Sequence, residues 1–322
     1  MRYSIELLCT TVLTATVALP LCCEMKAHKF LKYFILVVVA GNLAIVAMVL
    51  ISGLSPKAVP LPNPNGYDNF VKAGRMLVET TKVYNYESLG KEELAALVAK
   101  NEAALELVRT GLNQQCRVPD DYSPAYLSRR MPDILSMKQL VVILCAQGRL
   151  AELESHTNEA AKLYLSGIHF GQESSRGGVI VSRLVGIACE RIALSRLESL
   201  TNRLGEPECR EVIQAVEILD AKAEPAQETM QQEHAWSRKT TDLRGKIYAL
   251  WQRKTLQKQE SDFIKKQQGN ALHRRQAMVA FAVRAYALEK GQPPQTLADL
   301  VPAYLKAIPQ DPFTGTNLVY QP

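Results

Sequence analysis

The stretch VIVSRLVGIACERIALSRLESLTNRL, residues 179–204, decides the fold class. Its Val, Ile, Leu and Ala residues do not follow a single stripe but fall on more than one side of a helical projection. A helix that is apolar on several sides is normally buried by other helices. The stretch therefore predicts the central helix of an all-α bundle.

Apolar residues also recur at helical spacing before and after this stretch in the sequence. One helix is predicted to begin near Tyr67. Others are predicted over Glu92–Leu112, Ile134–Ala146, Leu150–Gln172, Glu208–Ala223 and Leu272–Lys290. Gly148, the segment Ser174–Gly178 and Pro207 are expected to separate neighbouring helices. Tetratricopeptide-like stacking is an alternative, but we find no self-similarity at a period of about 34 residues. An irregular bundle of helical hairpins is therefore favoured.

An uncharged apolar stretch, YFILVVVAGNLAIVAMVLISGL, covers residues 33–54. A helix of this length rises ~33 Å, enough to cross a hydrocarbon core of ~30 Å. Lys26, Lys29 and Lys32 precede it in the basic flank 25–32, and positive flanks stay on the cytoplasmic side. We therefore expect a cytoplasmic-membrane protein that contacts the bilayer through residues 33–54 and has residues 55–322 outside the cytoplasm.

The remaining chain divides by composition. Residues 1–24 admit three interpretations: an extension upstream of a start at Met25, a second hydrophobic span, or a signal sequence. Residues 55–66 contain four Pro and predict a stiff spacer. Residues 67–270 are expected to form the helical domain, and residues 271–322 a tail helix with a Pro-rich cap packed on that domain.

The C-terminal tail carries a dense pattern of Gly, Pro and apolar residues. Its members are Gly291, Pro294, Leu300, Pro302, Tyr304, Pro309, Asp311, Pro312, Phe313, Gly315 and Tyr320. This pattern resembles the tail of uncharacterised membrane-anchored bacterial α-helical proteins, and the resemblance covers residues 25–322. About the last 35 residues are also similar to the end of type II secretion major pseudopilins, where a Pro-Asp-Pro-aromatic-Gly turn precedes a final strand. We expect Asp311 to close a turn, with Phe313, Leu318 and Tyr320 packed against the tail helix.

Positive charge is concentrated in residues 236–275, where eleven cations face three anions, a balance of +8 against +6 for the whole chain. One interpretation is a long solvated helix whose inner stripe is Leu243, Ile247, Leu250 and Trp251. The other is a face for anionic lipid headgroups, cell-wall polymer or an acidic partner. That face would comprise Arg238, Lys239, Arg244, Lys246, Arg253, Lys254 and Lys258. Few aromatic residues interleave with these cations, so nucleic acid is not an expected partner.

Sequence motifs of catalysis are scarce. The chain has no GxSxG, P-loop, HExxH or GxGxxG pattern, and no Cys/His spacing that suits zinc, so no cofactor or metal is expected. Glu233 and His234 are weak catalytic candidates, because neighbours on a helix point about 100° apart. The segment Ser174–Gly178 predicts an inter-helix turn, with an anion-binding turn as the alternative.

Four cysteines lie beyond the membrane region. Cys145 and Cys189 occur in apolar runs and predict buried core thiols, while Cys116 and Cys209 lie near loops. Unpaired thiols are favoured, with a Cys116–Cys209 disulfide as the alternative.

The expected function is that of a non-enzymatic, single-pass interaction or scaffold protein of the cell envelope. An accessory of a pilus-like or type II secretion apparatus is the first alternative, since the tail resembles that of pseudopilins. A membrane-anchored hydrolase that uses Glu233 and His234 is the second.

Overall fold

A computed structural model describes residues 32–43, 59–123, 125–242, 244–245, 248 and 251–320. Helix is the regular secondary structure of this part of the chain, which contains no strand. The chain divides into two compact units, Met1–Pro56 and Lys57–Pro322. The all-α prediction is therefore confirmed for the described residues.

The first unit contains the helix α1, Lys32–Leu43. Its apolar side chains are exposed within the unit, and Tyr33, Leu36 and Val37 each expose more than half of their surface. The helix covers the first part of the predicted span. Residues 44–54 and the N-terminal segment 1–24 lie outside the described residues.

The second unit is a helical bundle. In chain order its helices are α2 (Gly66–Met76), α3 (Thr80–Val83), α4 (Lys91–Lys100), α5 (Glu102–Leu112), α6 (Tyr126–Leu153), α7 (Thr157–Glu173), α8 (Ile180–Glu198), α9 (Glu206–Lys222), α10 (Ala226–Thr240) and α11 (Arg253–Lys290), with 3-10 turns at Tyr86–Ser88 and Leu297–Leu300. Helix α8 packs along α7 and also contacts α6, α10 and α11, while α9 and α11 form a second close pair. The apolar stretch 179–204, which contains α8, therefore lies at the centre of the bundle.

Helix α6 is longer than predicted at both ends. It begins before Pro132, although proline removes one helical hydrogen bond, and it continues past Gly148. A Cβ at position 148 would overlap the ring of Tyr164, so this glycine permits close packing rather than ending the helix. By length and composition alone Ser128–Leu153 could cross a membrane, but 61% of its most apolar window is buried inside the bundle. It is therefore a core helix.

The predicted helix Glu92–Leu112 is wrong in one respect, because it divides into α4 and α5 at Asn101. The buried Asn101 amide donates to Leu97 O at 2.9 Å and accepts from Val78 N–H at 3.0 Å. An asparagine that binds nearby backbone groups competes with helical hydrogen bonds. Asn101 thus joins the junction between α4 and α5 to the loop between α2 and α3.

Glycines bring α7 and α8 close together. A Cβ at Gly171 would lie only 2.7 Å from the backbone nitrogen of Glu190 and 2.8 Å from the carbonyl oxygen of Gly186. A larger residue at Gly171 would therefore separate the two helices. The predicted helix Leu150–Gln172 starts later, at Thr157, because α6 continues to Leu153 and the chain then turns through Ser155 with φ +63°.

Helix α11 is continuous over 38 residues, so the predicted tail helix Leu272–Lys290 is its C-terminal half. Gly291, with φ +76°, ends it as the sequence predicts. The predicted inner stripe is wrong at Trp251, which is 88% exposed. Leu243, Ile247 and Leu250 lie outside the described residues.

The tail after α11 is held by turns. Leu300 and Leu305 are buried in the core, and Gln310 and Asn317 form an isolated antiparallel bridge. The Asp311 carboxylate accepts a hydrogen bond from Phe313 N–H at 2.7 Å. Leu318 and Tyr320 pack against the core, whereas Phe313 lies beside Gly269 of α11, before the predicted tail helix, and stays 49% exposed, so it is packed less closely than predicted. The bridge ends at Asn317, so the final strand that the pseudopilin resemblance implies does not form over residues 318–320.

Candidate functional site

A cleft in the second unit has a volume of about 850 Å³. Residues 59–62 and the loop 112–117 after α5 contribute to its lining. His169, Glu173 and Arg176 also line it, with Lys222 at the end of α9. The cleft thus combines apolar chain with titratable side chains from three different elements.

Backbone hydrogen bonds fix the loop 112–117 that lines the cleft. Asn65 Nδ2 donates to Arg117 O at 2.8 Å, and Arg117 N–H donates to Asn65 Oδ1 at 3.0 Å. Val118 N–H donates to Arg176 O at 2.9 Å, which joins the loop to the turn between α7 and α8. The backbone of Arg117 is therefore fixed by Asn65, and its side chain remains available for other contacts.

Three cations and one carboxylate line the cleft, a formal excess of two positive charges. Arg176 and Glu173 form a two-pronged ion pair at 2.6 and 3.0 Å, and Arg176 also donates to Lys222 O at 3.1 Å. The Arg117 guanidinium and the Lys222 ammonium have no ion-pair partner among the described residues. The Arg117 Nε is also buried without a hydrogen bond, while its guanidinium packs over Gly177. Arg117 and Lys222 are the charges that a ligand could neutralise.

His169 adds an uncharged polar group to the same cleft. Burial lowers its pKa, and the neighbouring Lys222 and Arg176 act in the same direction, against the opposing effect of Glu173. The imidazole is therefore neutral near pH 7 and can donate or accept a hydrogen bond.

The turn Ser174–Gly178 does not offer its amides to an external anion. Gly177 N–H donates to Glu224 Oε1 at 2.8 Å, and Ile180 N–H, at the start of α8, donates to Glu233 Oε2 at 2.9 Å. Burial raises the pKa of both carboxyl groups. The chain's own glutamates thus occupy the positions that the anion-binding interpretation assigned to a ligand.

Glu233 and His234 point to different partners. Glu233 binds the amide of Ile180, whereas His234 Nε2 lies 2.9 Å from Glu260 Oε1 on the exposed side of α10 and α11. The two side chains therefore do not converge on one reacting centre.

A buried ionic cluster joins α8, α9 and α11. Glu190 is fully buried and lies 2.9 Å from Arg183 and 2.7 Å from Arg274. Asp220 binds both Arg274 and Arg275 at 2.9 and 2.8 Å. This ionic core was not predicted from the sequence, although Arg183 and Glu190 are two charges spaced two helical turns apart in an apolar helix, which places them on one face.

The predicted basic face is divided between two helices. Arg238 and Lys239 are exposed near the end of α10, and Lys239 lies 3.7 Å above the Tyr122 ring. Arg244 is also exposed, and Lys246 lies outside the described residues. Arg253, Lys254 and Lys258 are exposed on the first turns of α11.

The cysteines of the second unit are buried free thiols. Cys116 and Cys209 form no disulfide, and burial raises the pKa of Cys145 to about 12. Such thiols pack as small apolar side chains rather than as nucleophiles. Among the described residues, no group of three or more His, Cys, Asp or Glu side chains is arranged to hold a metal ion.

Comparison with known protein families, curated proteins and solved structures finds no match. The observations that bear on function are therefore the cleft, its two unpaired cations and the distribution of charge on the surface.

Proposed function

We propose that the chain is a single-pass membrane-anchored protein of the cell envelope and that its second unit binds an acidic segment of a partner protein. Residues 33–54 would span the cytoplasmic membrane and place residues 55–322 outside. The exposed apolar helix α1 supports the anchor. The resemblance of the tail to membrane-anchored bacterial proteins supports the envelope location.

The pair of unpaired cations in the cleft carries the binding proposal. The Arg117 guanidinium has no ion-pair partner among the described residues, so a carboxylate or phosphate would add charge-assisted hydrogen bonds that the folded chain does not supply. Lys222 lines the same cleft and adds a second charge. An acidic side chain of the partner would therefore be bound by these two cations.

The apolar lining of the cleft favours a peptide over a small inorganic anion. Val59 and Leu61 expose about half of their surface beside the cations, at 53% and 47%. Apolar contacts of this kind contribute roughly 25 cal/mol per Å² removed from water. A segment with one acidic and one or two apolar side chains would use both parts of the site.

The test compares two double variants of the full chain with equal changes in charge. R117E/K222E reverses the cleft, and K72E/R191E reverses two exposed cations elsewhere in the bundle. Quantitative cross-linking in membranes should recover a defined partner with wild type and K72E/R191E but not with R117E/K222E. Recovery that is the same for all three proteins would contradict the proposed site.

A role as an accessory of a pilus-like or type II secretion apparatus is our second proposal. The tail exposes Phe313 at 49% and Val319 at 89%, which makes these side chains available to a neighbouring subunit. If the tail assembles in this way, F313S/V319S should reduce secretion while the helical content and melting temperature stay unchanged. Normal secretion by this variant would leave the tail with a structural role alone.

A further inference from the structure

An aromatic pair is exposed immediately before α11. Tyr248 is 65% exposed and Trp251 is 88% exposed. They are three residues apart, so they share one face of a helical turn. Gln252 orders this turn, since its N–H donates to Tyr248 O at 3.0 Å and its Nε2 to the Tyr248 hydroxyl at 3.0 Å. Large aromatic rings are normally buried, so this exposure indicates a contact surface.

Unpaired cations follow the aromatic pair at once. Arg253, Lys254 and Lys258 are exposed, and none has an ion-pair partner in the part of the chain that the structure describes. The nearby anions have other contacts: Glu260 binds His234, and Asp242 accepts from Gly245 N–H. The start of α11 is therefore a positively charged surface with exposed rings at its edge.

We propose that this surface, formed by Tyr248, Trp251, Arg253, Lys254, Leu256 and Lys258, docks on an anionic lipid membrane. Tyr and Trp side chains favour the boundary between headgroups and acyl chains, because one part of each ring is apolar and the other can form hydrogen bonds. Lysine and arginine beside them would bind headgroup phosphates. The proposal goes beyond the cleft and relies on the proposed anchor only to keep a bilayer within reach.

The size of the apolar part favours a bilayer over a protein partner. Among the described residues of this surface, the exposed apolar side chains are Tyr248, Trp251 and Leu256. A stable protein interface buries about 800 Å² on each partner, which three side chains do not supply. A bilayer requires no matching surface, because its headgroups rearrange around a few inserted rings and cations.

The expected electrostatic effect is large enough to measure. A cation next to an anionic membrane strengthens binding about fivefold, which corresponds to ~1 kcal/mol. Loss of the three cations of α11 therefore predicts docking that is weaker by about a hundredfold. Added salt should act in the same direction, because it screens exposed charges.

Tryptophan fluorescence offers a direct test, because the chain contains only Trp236 and Trp251. Trp236 is partly buried and donates to Asp121 O at 3.0 Å. W236F makes Trp251 the sole indole of the full chain. The protein would be reconstituted into vesicles of phosphatidylcholine alone, or of equal parts phosphatidylcholine and phosphatidylglycerol, with and without bromine on the acyl chains. Should W236F fold poorly, the difference between wild type and W251F gives the same signal.

In vesicles that contain phosphatidylglycerol, we expect Trp251 emission to shift to the blue and to be quenched by bromine. In phosphatidylcholine vesicles, and for R253E/K254E/K258E in both vesicles, emission should stay that of a water-exposed indole. Exposed emission in every vesicle would overturn the proposal, as would equal quenching with and without phosphatidylglycerol. A blue shift without bromine quenching would indicate that protein covers Trp251, and it would also overturn the proposal. Failure of the chain to co-float with phosphatidylcholine vesicles would instead count against the anchor.

Discussion

The two halves of α11 place the same type of side chain in opposite environments. In the N-terminal half, Arg253, Lys254 and Lys258 are exposed and have no ion-pair partner among the described residues. In the C-terminal half, Arg274 is buried and Arg275 partly buried, and both are bound to carboxylates of α8 or α9. The number of cations alone therefore does not show whether a segment is packed in the fold or free to bind a partner. The positions of the carboxylates around those cations show it.

The first buried residue of α11 is Phe263. Phe263, Asn270 and Arg274 are buried and share one face of α11, since seven and eleven residues are close to whole numbers of turns. No described residue from 251 to 262 is buried. The helix thus has a half packed in the bundle and a half whose side chains face solvent.

Removal of Glu190 should have the largest effect on the packed half. E190Q removes the counter-charge of buried Arg183 and one of the two carboxylates that bind Arg274, and loss of a buried charge partner typically costs 3–5 kcal/mol. E260Q is the matched control, because Glu260 pairs with His234 at the surface, where ion pairs contribute about 0–1 kcal/mol. Denaturant unfolding monitored by circular dichroism measures both. Equal losses for the two variants would refute the distinction between the halves.

A smaller effect is expected where α8 meets α7. G171A would push a methyl group against the backbone of Glu190 and should destabilise the bundle by about 1–3 kcal/mol. G269A, in α11, has Phe313 4.0 Å away as its nearest neighbour, so it should stabilise the helix by up to about 1 kcal/mol. Opposite shifts in melting temperature are the predicted result. Melting-temperature shifts of the same sign for the two variants would contradict the close packing of α7 against α8.

The pH dependence of Glu224 should be smaller still. Burial, with a contribution from Glu228, raises its pKa against the opposing effects of Gly177 N–H, Arg183 and Arg176. The folded chain therefore holds this proton more tightly than the unfolded chain, and the ionised form costs stability above the raised pKa. E224Q keeps an oxygen for Gly177 N–H and carries no charge. Its stability should exceed that of wild type at neutral pH, and the difference should vanish below about pH 4, under the unfolded pKa of ~4.3. A difference that does not change with pH would contradict this account.

Local patterns predicted much of the fold. The apolar stretch at residues 179–204 gave the central helix, and Gly291 gave the end of α11. The helix end predicted at Gly148 and the continuous helix predicted through Asn101 were both wrong. The roles of these two residues depend on tertiary neighbours, the Tyr164 ring and the Val78 amide. A glycine that makes room and a glycine that ends a helix look alike in sequence.

The candidate sites were harder to predict. Glu233 and His234 are adjacent in sequence but bind different elements. Arg117 lies in a loop, and its importance follows from two contacts that sequence does not show, with Asn65 and Gly177. The exposed cations of α11 were anticipated from charge density, whereas the exposure of Trp251 was not, because apolar spacing had assigned it to the inner stripe.

Hydrogen exchange along α11 tests the difference between its halves most directly. The full chain in phosphatidylcholine nanodiscs should show fast amide exchange over residues 253–262 and slow exchange over 270–290, because only the second range is packed. With phosphatidylglycerol in the nanodiscs, exchange over 253–262 should slow while that over 270–290 stays unchanged. Equal protection of both halves in phosphatidylcholine, or no response of residues 253–262 to the anionic lipid, would contradict the account.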